Sequence, residues 1–215
     1  RGTIPKCVLS VGGRLRHGSP MPRLKIAVLG SGKGSNFRAI LDAIRTGVLR
    51  AQPVLAVSDN ADSGLLRLAD DLGIETEFVE EPKFRTRLSE EIEARLAERL
   101  LARGAELVVL AGWMRMLKRP MLEAFPRRII NIHPSLLPAF PGLEAWKQAL
   151  AAGAAKTGCT VHFVDGGMDT GEPIAQTEIQ ILPGDTAETL HARIQEAEHA
   201  LYPEVVARFA RRELP

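Results

Sequence analysis

The run Leu24–Leu29 (Leu-Lys-Ile-Ala-Val-Leu) passes directly into Gly30-Ser31-Gly32-Lys33-Gly34-Ser35-Asn36. Phe37, Ile40, Leu41 and Ile44 then recur at spacings of three and four until Gly47. A short apolar run, a glycine-rich turn and a helical period read as strand, turn and helix. This opening constrains the fold more than any other stretch, because a strand feeding a crossover helix calls for a parallel neighbour and a right-handed connection. The alternation repeats in a strand at Pro53–Ser58, a helix over 63–72 stopped by Gly73, and a strand at Ile74–Val79. A long charged helix over 84–103 ends at Gly104, and Glu106–Ala111 is a strand of the buried type. The expected class is α/β, with a Rossmann-like doubly wound sheet.

After residue 128 the pattern changes. Ile129–Ile132 reads as a strand and 144–152 as a helix. Cys159–Val164 and Ile174–Ile181 read as strands that can pair antiparallel across a Gly- and Asp-rich loop. The sheet is therefore expected to be mixed, mostly parallel with an antiparallel C-terminal part. Thr186–Arg211 closes as a long helix, interrupted or kinked near Pro203. Residues 1–22 read as an extension, disordered or foreign to the native start, because Met21 directly precedes the first strand pattern; a single domain is expected over 23–215.

A chain of 215 residues with 45% hydrophobic content supports one real core. The net charge of +2 gives no basis for a nucleic-acid or membrane surface. Cys7 and Cys159, far apart, build neither a disulfide framework nor a zinc site, so a reducing, cytoplasmic setting is expected. The patch Cys7-Val8-Leu9 is too short for a secretory signal.

Three motifs carry chemistry. Gly34, Ser35 and Asn36 open the first helix, where free N–H groups and the helix dipole favour a phosphate. The turn lacks the Walker Lys-Ser/Thr ending and is spaced too tightly for a dinucleotide fingerprint; the plain alternative is a tight turn with Ser35 as N-cap. Asn131-Ile132-His133-Pro134-Ser135-Leu136-Leu137-Pro138 starts at the end of a buried strand, where ligands of parallel sheets bind. Alternation sends Asn131 and His133 to one side, an amide able to serve an oxyanion beside an imidazole able to shuttle a proton. A buried, satisfied histidine is the alternative. In Gly158–Pro173 a strand ends in a loop with Asp165 and Asp169; a carboxylate there could orient His133, or both could be turn formers. Cys159-x-x-His162 offers too few ligands, on opposite faces, for a metal.

Together these motifs resemble the folate-dependent formyltransferases, from about residue 24 to residue 211. The Asn-x-His-Pro-Ser-Leu-Leu-Pro run and Gly-x-Thr-Val-x-Phe-Val with the following Asp-x-Gly are similar to that family's signatures. The Gly-Ser-Asn turn and Trp113-Met114-Arg115-Met116-Leu117 resemble the branch whose acceptor is glycinamide ribonucleotide. The resemblance implies the formyltransferase fold, with 10-formyltetrahydrofolate as co-substrate, no metal, and transfer to the amine of glycinamide ribonucleotide in purine biosynthesis. It implies Asn131, His133 and Asp169 as the catalytic trio, and Gly34, Ser35, Asn36 and Glu198 at the phosphoribosyl group. It implies Arg87, Met114, Arg115, Met116, Leu117 and Asn131 on the folate side, and a cis bond between Leu137 and Pro138. Glu144-Ala145-Trp146 stands where the family often has histidine. The tRNA-binding and regulatory domains of other branches are not expected in this length. A sugar-nucleotide formyltransferase would use the second and third motifs equally, and a non-catalytic folate or nucleotide binder would have no need of the trio. Small-molecule substrates are expected, with no nucleic-acid or membrane partner; monomer and homodimer are both open.

Overall fold

The computed structural model describes residues 22–215, so all but the last residue of the expected 1–22 extension lies outside the described residues, Cys7 included. The elements in chain order are β1 Leu24–Leu29, α1 Ser35–Arg45, β2 Ala51–Ser58, α2 Gly64–Asp71, β3 Thr76–Phe78, α3 Glu90–Ala102 and β4 Leu107–Leu110. After these come α4 Arg119–Ala124, β5 Ile129–His133, α5 Ala145–Ala151, β6 Lys156–Phe163, β7 Pro173–Gln180 and α6 Ala187–Ala210. One seven-stranded sheet has the order β3-β2-β1-β4-β5-β6-β7. Its pairs are parallel through β5, whereas β5–β6 and β6–β7 are antiparallel.

Strand alternation divides the core in two. Ile26 and Val28 of β1 with Leu107 and Val109 of β4 face α1 and α6, meeting Phe37, Ile40, Val205 and Phe209. Ala27 and Leu29 with Val108 and Leu110 face the other way, against Leu96 and Leu100 of α3 and Met121 of α4. Each such fully buried aliphatic or aromatic side chain contributes about 2 kcal/mol through removal from water. The winding reverses between β1 and β4, so the turns leaving these two strands open a crevice beyond their carboxyl ends.

Three local expectations are corrected. The helix expected over 84–103 begins only at Glu90. Its presumed first turn is held otherwise: Arg115 donates to the Phe84 carbonyl and, at 3.2 Å, to that of Arg87, and Met116 N–H bonds the Thr86 carbonyl at 2.8 Å. These bonds tie the turn to the segment after β4 in place of a helical ladder. The short α4, with a proline in its first turn, escaped periodicity because six residues do not complete two turns. Its start is capped by buried Glu93 of α3, which accepts from Lys118 N–H at 2.5 Å. Finally, α6 runs uninterrupted through Pro203. The ring removes one N–H, yet the helix is pinned there by buried Tyr202, whose hydroxyl lies 2.8 Å from the Leu110 carbonyl and 3.0 Å from that of Ile130.

Candidate active site

The crevice deepens into a cavity of about 690 Å³. The Gly-rich turn, the segment after β4, the end of β5, the loop after β6 and one face of α6 all contribute to its lining. Every residue expected at the site lines it, with one exception. Arg87 is exposed and outside the lining, its guanidinium 4.1 Å from the Phe84 ring centroid.

At one end lies the Gly-rich turn. Gly34, with φ of 79°, is the N-cap of α1, and no side chain caps this end. Ser35 is therefore the first helical residue and not the cap, which leaves its N–H and those of its neighbours for a ligand. A Cβ on Gly34 would sit 3.0 Å from the Leu65 Cα, so backbone conformation and close packing both select glycine. Asn36 turns inward and donates to Glu198 of α6 at 2.9 Å, while its own side-chain oxygen is buried without a partner. Burial, opposed by the Asn36 hydrogen bond, pushes the Glu198 carboxyl up to about 7.

The segment after β4 is tied to this turn through Met114 N–H, which donates to the Ser31 hydroxyl at 3.0 Å. Met114 is exposed at the rim, together with Leu143 and Met168. Leu117 is buried and Met116 partly so. Arg115 lines the cavity, but its head is committed to Asp59 at 2.6 Å, with both side chains nearly buried, and to the 84–87 turn. It shapes the pocket wall and leaves the charge of its head spent inside the protein.

The end of β5 supplies the polar cluster. Asp169 lies 3.4 Å from His133 Nδ1 and 3.8 Å from His162 Nε2, and accepts from Gly142 N–H at 2.8 Å. The Nε2 atom of His133 is 2.9 Å from the Phe140 carbonyl, so both ring nitrogens face oxygen. The loop reaches this position with Asp169 itself at a φ of 56°, a conformation that is costly for a non-glycine residue. Two residues later a Cβ at Gly171 would fall 1.7 Å from the Phe163 carbonyl oxygen; only glycine lets the loop fold back this closely. Asp165 is a turn former as one alternative held: it accepts from Gly167 N–H at 2.9 Å and the Thr170 hydroxyl at 2.7 Å.

His162 is the residue that motif reasoning missed. The antiparallel register places it directly opposite Asn131. Its Nδ1 lies 2.8 Å from the Phe163 carbonyl, which can only accept, so Nδ1 carries the proton. Burial, opposed by that bond, holds the imidazole below its usual range. The unprotonated Nε2 then accepts from the Asn131 amide at 3.2 Å, which orients the amide and leaves its second N–H for a ligand. The signal was the pairing of the two strands, available only once their register is known. The Leu137–Pro138 bond is cis. Among the described residues no helix is long and apolar enough to cross a membrane, and no three His, Cys, Asp or Glu side chains gather as metal ligands.

Residues 24–206 match the formyl transferase family. The chain is 46% identical over 88% of its length to the trifunctional purine biosynthetic protein adenosine-3 of Drosophila pseudoobscura pseudoobscura, and spans 14% of that much longer relative. It is 43% identical to the phosphoribosylglycinamide formyltransferase of Bacillus subtilis (strain 168), covering 85% of this chain and 92% of that one. Among solved structures, glycinamide ribonucleotide transformylase 1 from Symbiobacterium toebii superposes with a TM-score of 0.82 at 47% identity, covering 88% of each chain.

Proposed function

We propose, since this chain belongs to the formyl transferase family, that it transfers the formyl group of 10-formyltetrahydrofolate to the amine of glycinamide ribonucleotide, a step of purine biosynthesis. The observation that carries the reading is convergence: a phosphate-type helix start, a Met-rich wall and the Asn131/His133/Asp169 cluster line one cavity. The phosphoribosyl end is assigned to Gly34, Ser35, Asn36 and Glu198. The folate is assigned to the wall at Met114, Arg115, Met116 and Leu117, reaching toward Asn131. Arg87, exposed outside the cavity, is proposed to meet only the outer, solvent-facing part of the folate. Both substrates are small soluble molecules, which supports a cytoplasmic setting.

The chemistry follows from charge development. The acceptor amine attacks the formyl carbon, forming a C–N bond and a tetrahedral oxyanion. The free N–H of Asn131, held by His162, is aimed at that oxygen, and His133 is the second donor once it releases the Phe140 carbonyl. Each such donor is commonly worth about 3–4 kcal/mol in the transition state. The bond from carbon to N10 of the folate then breaks, and the proton lost by the amine ends on N10. Asp169 and His133 are the groups in reach to relay it, directly or through a water. The phosphate, bound remotely, supplies positioning. The test is to follow absorbance as 10-formyltetrahydrofolate loses its formyl group with glycinamide ribonucleotide, amino sugar nucleotides or aminoacyl-tRNA as acceptor. Turnover with the ribonucleotide alone is expected; preference for an amino sugar would replace the reading, and none with any acceptor would reduce the chain to a binder.

A further inference from the structure

One wall of the cavity takes no part in the chemistry above. The indole of Trp146 and the imidazole of His191 stack face to face, with centroids 3.8 Å apart and planes 1° apart. Trp146 comes from α5 and His191 from α6, and both line the cavity, as do Lys33, Ser35 and Glu198, with Lys33 close enough for its charge to act on the imidazole. Such alignment fixes an imidazole's orientation without using its nitrogens. Among the described residues neither ring nitrogen of His191 has a hydrogen-bond partner, and the Lys33 ammonium has no ion pair. Two potential cationic donors thus stand unpaired beside a helix start that lacks a side-chain cap.

We propose that the Trp146–His191 stack is a specificity element for the acceptor, in which Trp146 holds the imidazole edge ready and His191, with Lys33, binds the acceptor's doubly charged oxyanion from the side opposite the Gly34–Asn36 backbone. The identity of the acceptor rests on the function proposed above; the anion site does not. Burial, and after it the charge of Lys33, hold the His191 imidazole below its usual range. A dianion seated between the two cations reverses the second effect and favours the imidazolium. Binding of the anion therefore takes up a proton. Lys33 is the charge that acts on the ring; Glu144 and Glu198 also line the cavity, Lys147 of α5 and Glu188 and Arg193 of α6 are the charged groups nearest the two rings in sequence, and Glu198 also titrates near neutrality. The comparison that isolates His191 is thus between variants that all retain Glu198.

The experiment titrates the full chain with sulfate, a dianion across the whole range, by calorimetry between about pH 8 and about pH 6. Wild type is expected to tighten several-fold more than His191→Phe over this interval. The variant, which retains a ring to stack, should bind sulfate about tenfold more weakly at the acid end, the scale of one charge-assisted hydrogen bond. Trp146→Leu should fall between them. In turnover, His191→Phe should raise the acceptor KM and leave the folate KM unchanged. If His191→Phe does not fold, His191→Gln replaces it with the same expectation for the pH slope. Equal sulfate affinity and equal slope in wild type and variant, or no sulfate binding by wild type, would overturn the proposal. A normal sulfate result with no turnover of glycinamide ribonucleotide would instead leave the anion site standing and remove the acceptor assignment.

Discussion

The two sides of the cavity are built from different materials. The side made by β1 to β4 offers backbone and shape: N–H groups at the start of α1, a glycine at φ of 79°, and an arginine whose charge is already neutralised by Asp59. The side made by β5, β6 and the loop between β6 and β7 offers polar side chains, Asn131, His133, His162 and Asp169, within 4 Å of one another in a chain of contacts. The difference follows from strand direction. Parallel strands end on the same edge, so their turns gather main-chain donors there. Antiparallel strands face each other residue by residue, so β6 can present His162 squarely to Asn131. Binding and chemistry are thereby divided along the sheet.

That division can be broken by substitution, and the largest effect should fall on the antiparallel side. His133→Ala is expected to reduce turnover by on the order of 10²–10³ while leaving the acceptor KM nearly unchanged, as steady-state kinetics would show. A matching rise in acceptor KM would mean that the two sides are not separate. Next comes Glu198, which joins α6 to the backbone side. Its folded value of about 7 lies above the model-peptide value of 4.5, so the folded chain holds this proton more tightly than the unfolded one. Stability from this group is complete below the lower value and is lost as pH rises through the upper one, by about 3 kcal/mol at most. Glu198→Gln should flatten the fall in urea-unfolding stability across that window. Glu93, also raised by burial, would retain part of the slope; a slope as steep as wild type would contradict the assignment.

A smaller effect is expected at Gly34. Gly34→Ala forces a left-handed side chain against Leu65, costing about 1–2 kcal/mol of stability, and should weaken acceptor binding with turnover at saturation little changed. Denaturation midpoints and the acceptor KM report the two parts. The smallest sharpens the antiparallel side: His162→Gln should lower turnover by roughly twofold to tenfold through a misdirected Asn131 amide. Replacement by Asn131→Ala in the same background should then add less than it does alone, and full additivity would separate the two residues.

Much of this was legible in the chain itself. The turn at Gly30–Asn36 and the runs at Leu24–Leu29 and Ile129–Ile132 announce their elements because buried parallel strands are continuous apolar runs. Asn131 and His133 were paired by alternation alone. The place of Asp169 beside His133 was not, because it depends on a left-handed residue and a glycine against Phe163, and loop conformation leaves no period to read. His162 was hidden for a similar reason: it matters through register. The non-helical 84–88 stretch was decided by Arg115, 28 to 31 residues away from the carbonyls it holds, which no local pattern encodes.

The hydrogen bond from Asn36 to Glu198 spans 162 residues, and those from the Tyr202 hydroxyl to Leu110 and Ile130 span 92 and 72. All three depend on α6. During synthesis strands β1 to β5 emerge from the ribosome before these partners have been made. Closing such long loops is slow relative to local structure, so a nascent or refolding chain passes through a stage with its strands paired and its acceptor end unfinished. The arrival of the last helix is then the moment at which the protein becomes able to hold its substrate. In refolding, recovery of anion binding should lag recovery of the far-ultraviolet signal of the sheet and the earlier helices.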